Sequence, residues 1–586
     1  MKKQIHIIPS LLIILLAGAT LVSCKKMLDI KPQDSLDASE FYKNVNDANV
    51  AVMGIYGKMY GIAEQYIILN ELRGDLLDVT DNSNEYLKQI CYHEATANNP
   101  WVDASSIYSI IRDCNDFLYN LKKMHDENRI LGSYYWPRYA DIASLRAWLY
   151  LQLGLHYGEV PYVTDRFSTL NDIQDSLNVT VLPMDALVDE LIRTLENLQT
   201  EGLNSPEKIN PLETVYDVTN DESIDKELNL YSGKSNEASS LMYISKPFLM
   251  GDLYLWQQNY HQAAVWYRKI LNTTTTDDRI TYKLSSEGSF FGKNKTWSNM
   301  FNSKGRDDVS DFSKEWMWMM YFDATDQPDP FVTLFTPVGL GKGEYLIKPS
   351  MASIFNFSEE TGSAVADNRG IQSSYHYMNS DPFVYKYTAD YLSGSNNNEL
   401  IGRWYFYRAG MLHLRFAEAA NRDGKNKLAW ALLNNGIYSA YDIYAGLTDA
   451  NTYDHTNTGC TFDATPYDFN GRKGDNPYFL DEYSSNMGVR GRAGMDAYNM
   501  PAYIITKQDS MLRIEDCIFN EDVLELAYEG NRWGDLVRLA KRRNDPSIVA
   551  NAVYKKMIYA GRNDAFEKKA KLMNENNWYL PAISFK

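Results

Sequence analysis

Histidine and cysteine are scarce in this chain, eight and five in 586 residues, and what they fail to form is informative. There is no HExxH, no CxxC and no metal-ligand spacing, which sets aside a zinc protease, a dithiol redox motif and a structural zinc site. No GxSxG elbow occurs, and "SGKS" at Ser232–Ser235 has Leu228 where a phosphate loop needs its first glycine. Positive charge is also short: 76 acidic residues face 58 basic ones, for a net charge of −18. No basic run interleaves with aromatics, so nucleic acid is not an expected partner and anionic polymers are disfavoured. Neutral ligands suit this balance best.

Long hydrophobic runs are missing as well. The one apolar stretch of note, Leu11–Leu16, is cut short by His6, Pro9 and Ser10 and falls well below the roughly 18 residues of a membrane span. It follows Lys2 and Lys3 and precedes "LVSC", the pattern of a bacterial lipoprotein signal peptide. Residues 1–23 are therefore expected to be removed, Cys24 to carry the lipid, and residues 24–45 to form a tether. Lys25, rather than Asp, after that cysteine points to the outer membrane.

Against these absences stand 45% hydrophobic residues, 43 Tyr and 12 Trp, enough for a large core with rings to spare. Helical periodicity predicts helices at 46–60, 105–124 and 136–157. Gly251, Tyr254, Ala263 and Tyr267 lie at offsets 0, 3, 12 and 16, and Ala417, Ala420, Ala429 and Leu433 repeat them. That small–aromatic spacing is the mark of tetratricopeptide-like helical pairs, whose small residues let two helices approach closely. Residues 272–405 and 448–506 are rich in Gly, Asn, Asp, Ser and Tyr and lack a sustained helical period, apart from a strand expected at Glu315–Phe322. The expected fold is mainly α: a tetratricopeptide-like scaffold with large irregular loop insertions and a few short strands. In this reading residues 46–586 form one domain, with a helical part at 46–271, an insertion at 272–405 and a second helical part at 406–586.

Rings beside hydrogen-bonding groups are what a sugar requires, the ring for the apolar face of a pyranose and the polar groups for its hydroxyls. Two regions offer them. One holds Asp75, Asp78, Asn82, Asn99 and Trp101; the other holds Trp297, Trp316, Trp318 and Tyr321. In a regular strand Trp316 and Trp318 would share one face, and Glu315, Met317, Met319 and Tyr321 the other. The bland alternative is packing: Trp101 against the helix starting near Asp103, the acids and amides in turns, the strand tryptophans in the core. "DNSNE" at Asp81–Glu85 alternates oxygen ligands as a structural calcium site would, yet lacks the Gly and distal Glu of an EF-hand, which favours a solvated turn. No cofactor is expected.

"YEGNRWGDLVR", Tyr528–Arg538, alternates acids and bases, but it reads as a joint between helices, with Arg532–Asp535 and Asp535–Arg538 bridging one surface. With "CKKMLDIKPQDSL", "RYADIASLRAWLYLQLGLHYGEVPYVT" and "RAGMLHLRFAEAANRDG", this stretch resembles the SusD/RagB family of nutrient-binding outer-membrane lipoproteins, essentially end to end. Gly530, Arg532, Trp533, Asp535, Leu536 and Arg538 match the family pattern "G.RW.DL.R"; Asn531 and Gly534 depart from it. The resemblance implies a surface lipoprotein that binds oligosaccharides or polysaccharides without catalysis and passes them to a SusC-like TonB-dependent transporter. It also implies ligand contacts in the Asp75–Trp101 part of the chain. Two alternatives stand beside it: a glycoside hydrolase, which needs only two carboxylates about 5 to 10 Å apart, and a protein-interaction scaffold or peptide-binding importer subunit.

Overall fold

The computed structural model describes residues 42–166, 179–214, 241–271, 315–322, 325–340, 342–359, 367–388, 402–441, 463–469, 488–504 and 506–581, with single positions at 301, 392 and 400. The signal peptide, Cys24, most of the tether, Trp297 and Cys460 lie outside the described residues.

The first helix, α1 (Val45–Met59), opens on a capping box: the Asn44 side chain accepts from the Asp47 N–H, and Asp47 accepts from the Asn44 N–H at 3.1 Å. A 3₁₀ turn (Tyr60–Ile62), α2 (Ala63–Ile67) and a π turn (Ile68–Leu72) carry the chain to β1 (Leu77–Val79), α3 (Glu85–Cys91) and the long pair α4 (Ser105–Asp126) and α5 (Gly132–Tyr157). A small hairpin, β2 (Glu159–Pro161) with β3 (Val181–Pro183), leads into α6 (Met184–Asn204). Next come α7 (Lys246–Trp256) and α8 (Tyr260–Leu271).

The described part of the region expected to be irregular holds short elements: β4 (Trp316–Phe322), α9 (Pro330–Phe335), β5 (Ile347–Pro349), α10 (Met351–Glu359), β6 (Tyr375–Met378) and β7 (Asp381–Val384). They are too short to show a period. Finally β8 (Gly402–Arg408), α11 (Ala409–Arg422), α12 (Asn426–Leu433), α13 (Gly436–Tyr441), α14 (Gly488–Arg492), α15 (Lys507–Glu525), α16 (Arg532–Arg543), α17 (Ser547–Tyr559) and α18 (Ala565–Leu572) complete the order. No helix among the described residues is long and apolar enough to cross a membrane.

The tetratricopeptide-like spacing does what it predicts. Helix α7 packs on α8 and α11 on α12, and α8 and α11 also pack together, so the two hairpins stack, with α15 alongside. At Gly251 the Tyr267 ring occupies the space any Cβ would need. Buried apolar residues from Ala48 to Leu580 form one contiguous cluster. Within it lies the antiparallel pair β4–β8, every residue of β8 and all of β4 except Tyr321 being buried. Packed on both faces, this strand cannot show one set of rings to solvent.

The joint at Tyr528–Arg538 departs from the local reading. Arg532 does not bridge to Asp535 one turn away; its guanidinium grips Asp75 at 2.5 and 2.9 Å, across most of the sequence. Asp535 does meet Arg538, at 3.0 Å, and also Arg415 at 2.5 Å, while Arg538 grips both oxygens of Glu418. The turn before α16 uses left-handed backbone at Tyr528 (φ 68°) and Gly530 (φ 82°). The N-terminus of α16 is capped from a distance, because Glu71 Oε1 accepts from the N–H groups of Gly530 (2.8 Å), Asn531 (3.0 Å) and Arg532 (3.3 Å).

Burial outweighs these hydrogen bonds and raises the Glu71 carboxyl from 4.5 to about 8. A raised carboxyl contributes stability that is complete below its unfolded value and is lost as pH climbs through the folded one. Glu71→Gln keeps the accepting oxygen and removes the ionisation. Its stability relative to wild type will therefore rise between about pH 5 and pH 8, by at most about 1.4 kcal/mol per pH unit, a trend that urea denaturation across this range will read.

Candidate functional site

The Asp75–Trp101 region is pinned at its base. Asp75 is buried and neutralised by Arg532, and Asp78 is buried and accepts from the hydroxyl of Tyr92 at 3.1 Å and the thiol of Cys91 at 3.4 Å. Asn99 is also buried; its amide donates to the Tyr86 carbonyl at 2.9 Å and to Gln89, and its oxygen starts the turn that carries Trp101. These three shape the loop and do not face solvent, and their burial corrects the expectation that they are surface contacts. Asn82 and Trp101 remain available. Asn82 is exposed and anchored by a 3.1 Å bond from its amide to the Glu344 carbonyl, and Trp101 is half-buried, its carbonyl accepting from Gln65 at 2.9 Å.

Residues 81–85 behave as a turn against β5. Ser83 donates to the Leu346 carbonyl, and Asn84 caps α3 by accepting from the Leu87 N–H at 3.0 Å. Among the described residues no group of three or more His, Cys, Asp or Glu could hold a metal ion.

The second region separates into a core part and a surface part. Trp318, 1% exposed, stacks on Phe406 at 4.3 Å, meets Trp148 edge-on at 5.0 Å and donates its indole N–H to the Met242 carbonyl. It is a core residue. Trp316 does not share its surroundings, because register shifts fall between Trp316 and Trp318 and between Trp318 and Met319. These break the expected alternation and place Trp316 and Tyr321 around one guanidinium, that of Arg403, 4.7 and 5.8 Å from their ring centroids. Trp316 is nearly covered, whereas Tyr321 is half-buried at the strand's end.

Both regions touch the 3₁₀ turn or α2, the first through Gln65 and the second through Tyr60. Tyr60 and Glu64, one helical turn apart, are half-buried. The Tyr60 ring meets Phe322, next to Tyr321, at 5.5 Å, and Glu64 lies close enough to Glu344 that this second carboxylate, after burial, raises its pKa. Glu344 supplies the carbonyl that holds Asn82. These contacts link, segment to segment, a rim of half-buried or exposed residues: the aromatic Trp101, Tyr60 and Tyr321 and the polar Asn82, Glu64 and Glu344. Sequence reasoning missed Tyr60, Glu64 and Glu344, because Tyr60 reads as the end of a helix, Glu64 follows it with no pattern of its own, and Glu344 reads as loop.

Comparison with known proteins adds a family match over the C-terminal part and a likeness of fold. Residues 483–584 match the model of the SusD family. No curated protein sequence matches the chain. Among solved structures, a SusD superfamily protein from Bacteroides thetaiotaomicron is 18% identical, covering 92% of this chain and 95% of its own, with a TM-score of 0.57. Surface glycan-binding protein A from Bacteroides uniformis is 17% identical over 92% and 96% of the two chains, with a TM-score of 0.58. NanU of B. fragilis is 15% identical over 89% and 94%, with a TM-score of 0.54. At these identities the likeness is one of fold.

Proposed function

We propose that this chain, a member of the SusD/RagB family, is a lipid-anchored protein of the outer membrane, facing the cell exterior, that binds neutral oligosaccharides or polysaccharides without catalysis. It hands them to a SusC-like TonB-dependent transporter. The observation that carries the binding reading is the rim, where half-buried aromatic residues and half-buried or exposed amide and carboxylate residues sit on segments tied together by direct contacts. Trp297 belongs to the same proposal. The printed name of the Bacteroides uniformis relative, a surface glycan-binding protein, points the same way. Lipidation at Cys24 supplies the anchor.

Ring substitutions test this. Trp101→Ala, Tyr321→Ala and Trp297→Ala are each expected to weaken binding of a glycan selected on an array by about tenfold with little loss of stability. Trp318→Ala is expected to do the reverse. Calorimetry showing unchanged affinity in all three variants would move the site elsewhere. Copurification of a large β-barrel with the lipidated protein is the corresponding test of the transporter, and capture of a soluble protein alone would favour the scaffold reading. A glycosidase reading would rest on the Glu64–Glu344 pair. Release of reducing ends by the purified protein, lost in Glu64→Gln, would replace binding with hydrolysis.

A further inference from the structure

A groove of about 380 Å³ opens between the start of α6, the end of α7 and the outer side of α16, within the size range of small-molecule sites, roughly 300–1,000 Å³. It shares no residue with the rim. Its floor includes the indole of Trp256, half-buried on the last turn of α7 and backed by the Arg538 guanidinium 5.9 Å from the ring centroid. Beside the ring stand the exposed side chains of Gln257, Gln258, Asp185 and Asp189, with the Gln257 amide donating to Asp189 at 2.7 Å. That bond leaves the Gln257 oxygen, the Gln258 amide and part of the Asp189 carboxylate as mixed donors and acceptors.

The charges in the groove decide what it can hold. Lys541 sits 3.1 Å from Asp185 and 3.4 Å from Glu575, Arg538 grips Glu418, and Arg542 meets Glu418 and Glu515. Every cation lining the groove has a carboxylate partner, so no unbalanced charge favours a phosphate or sulfate, and the acids near Lys541 are engaged against a cation. What remains is a flat ring bordered by neutral or compensated groups and one carboxylate, Asp189, held by the Gln257 amide, a set of donors and acceptors that complements a polyhydroxylated, uncharged ring.

We propose that this groove is a second saccharide-binding site, specific for neutral sugars and built on Trp256. The assignment goes beyond the reading of the rim and does not depend on it. Fluorine NMR of the protein labelled with 5-fluorotryptophan tests it, with Trp256→Phe and Trp101→Phe identifying the two resonances. Glucose, galactose, mannose, xylose and N-acetylglucosamine are the probes, with sodium phosphate and acetate as ionic controls. The expected result is a saturable shift of the Trp256 resonance with at least one neutral sugar at millimolar concentration, retained in Trp101→Ala and weakened about tenfold by Gln257→Ala. Absence of any saturable shift, or an equal shift with phosphate, would overturn the assignment. Movement of the Trp101 resonance alone would uphold the rim and remove this site, and movement of the Trp256 resonance alone would do the opposite.

Discussion

Glu525→Ala is expected to lower the free energy of unfolding at neutral pH by about 3–5 kcal/mol. Glu525 ends α15 inside a cluster with no solvent contact, where Arg408 donates to it at 2.8 Å, Arg369 at 3.2 Å and Arg492 through a further ion pair. These guanidiniums hold its carboxyl down at about 2 in spite of full burial. Glu529, 2.7 Å from both Arg408 and Lys386, and Glu521, 2.5 Å from Arg369, complete the neutralisation around it. Breaking a buried pair from one side leaves charges that water cannot reach, so the penalty is set by the stranded arginines and exceeds the value of the pair itself.

The sign of the pH dependence gives a second readout. A carboxyl depressed in the folded state contributes stability that is present above its unfolded pKa, 4.5, and lost as pH falls toward its folded value of about 2. Wild type will therefore lose stability across this acid range, and part of that slope will be missing from Glu525→Gln. Urea midpoints at pH 7 and melting temperatures from about pH 5 down to pH 2.5 provide the measurements. A change at pH 7 below about 1 kcal/mol would mean that Glu521 and Glu529 re-pair the guanidiniums unaided.

This cluster also marks where the sequence ceases to be readable. Helix α1, expected at 46–60, lies at Val45–Met59, because a solvent-facing helix prints its period on the chain. The paired offsets starting at Gly251 and Ala417 were legible for a similar reason: close helix contact demands small residues at set intervals. Glu71, Glu525 and Glu529 carry no such print. An acid in a helix reads as an exposed face, and nothing near Glu525 in sequence announces the arginines at 369, 408 and 492.

The same limit acted on the candidate site. Asp75 stands among polar neighbours in the sequence, yet its partner Arg532 is 457 positions away. In β4 the rule of alternating faces failed twice over, since burial on both sides removes the polarity signal and the register shifts change which rings are neighbours. Asn82, Trp101 and Tyr321 remain on the rim because loops and strand ends are where polar and aromatic residues stay accessible.

Trp533→Ala is expected to cost about 3–5 kcal/mol of stability while leaving glycan affinity per folded molecule within about twofold of wild type. The indole is fully buried on the inner side of α16, with the Arg73 guanidinium 4.1 Å from its centroid and the His93 ring 5.3 Å away. Arg73 is itself buried and bonded to His156 Nδ1 at 3.2 Å and to the Trp578 carbonyl, so removal of the ring exposes one face of a desolvated cation as well as opening a cavity. None of the rim residues lies on α16, and α16 is held independently by Glu71 at its N-terminus and by the Asp75 and Glu418 pairs. The loss should therefore show as a lower denaturation midpoint with the helix still docked. Calorimetric titration of the folded fraction at low temperature separates the two effects, and a fully folded Trp533→Ala that no longer binds would place "RW" in the ligand's path and not in the joint.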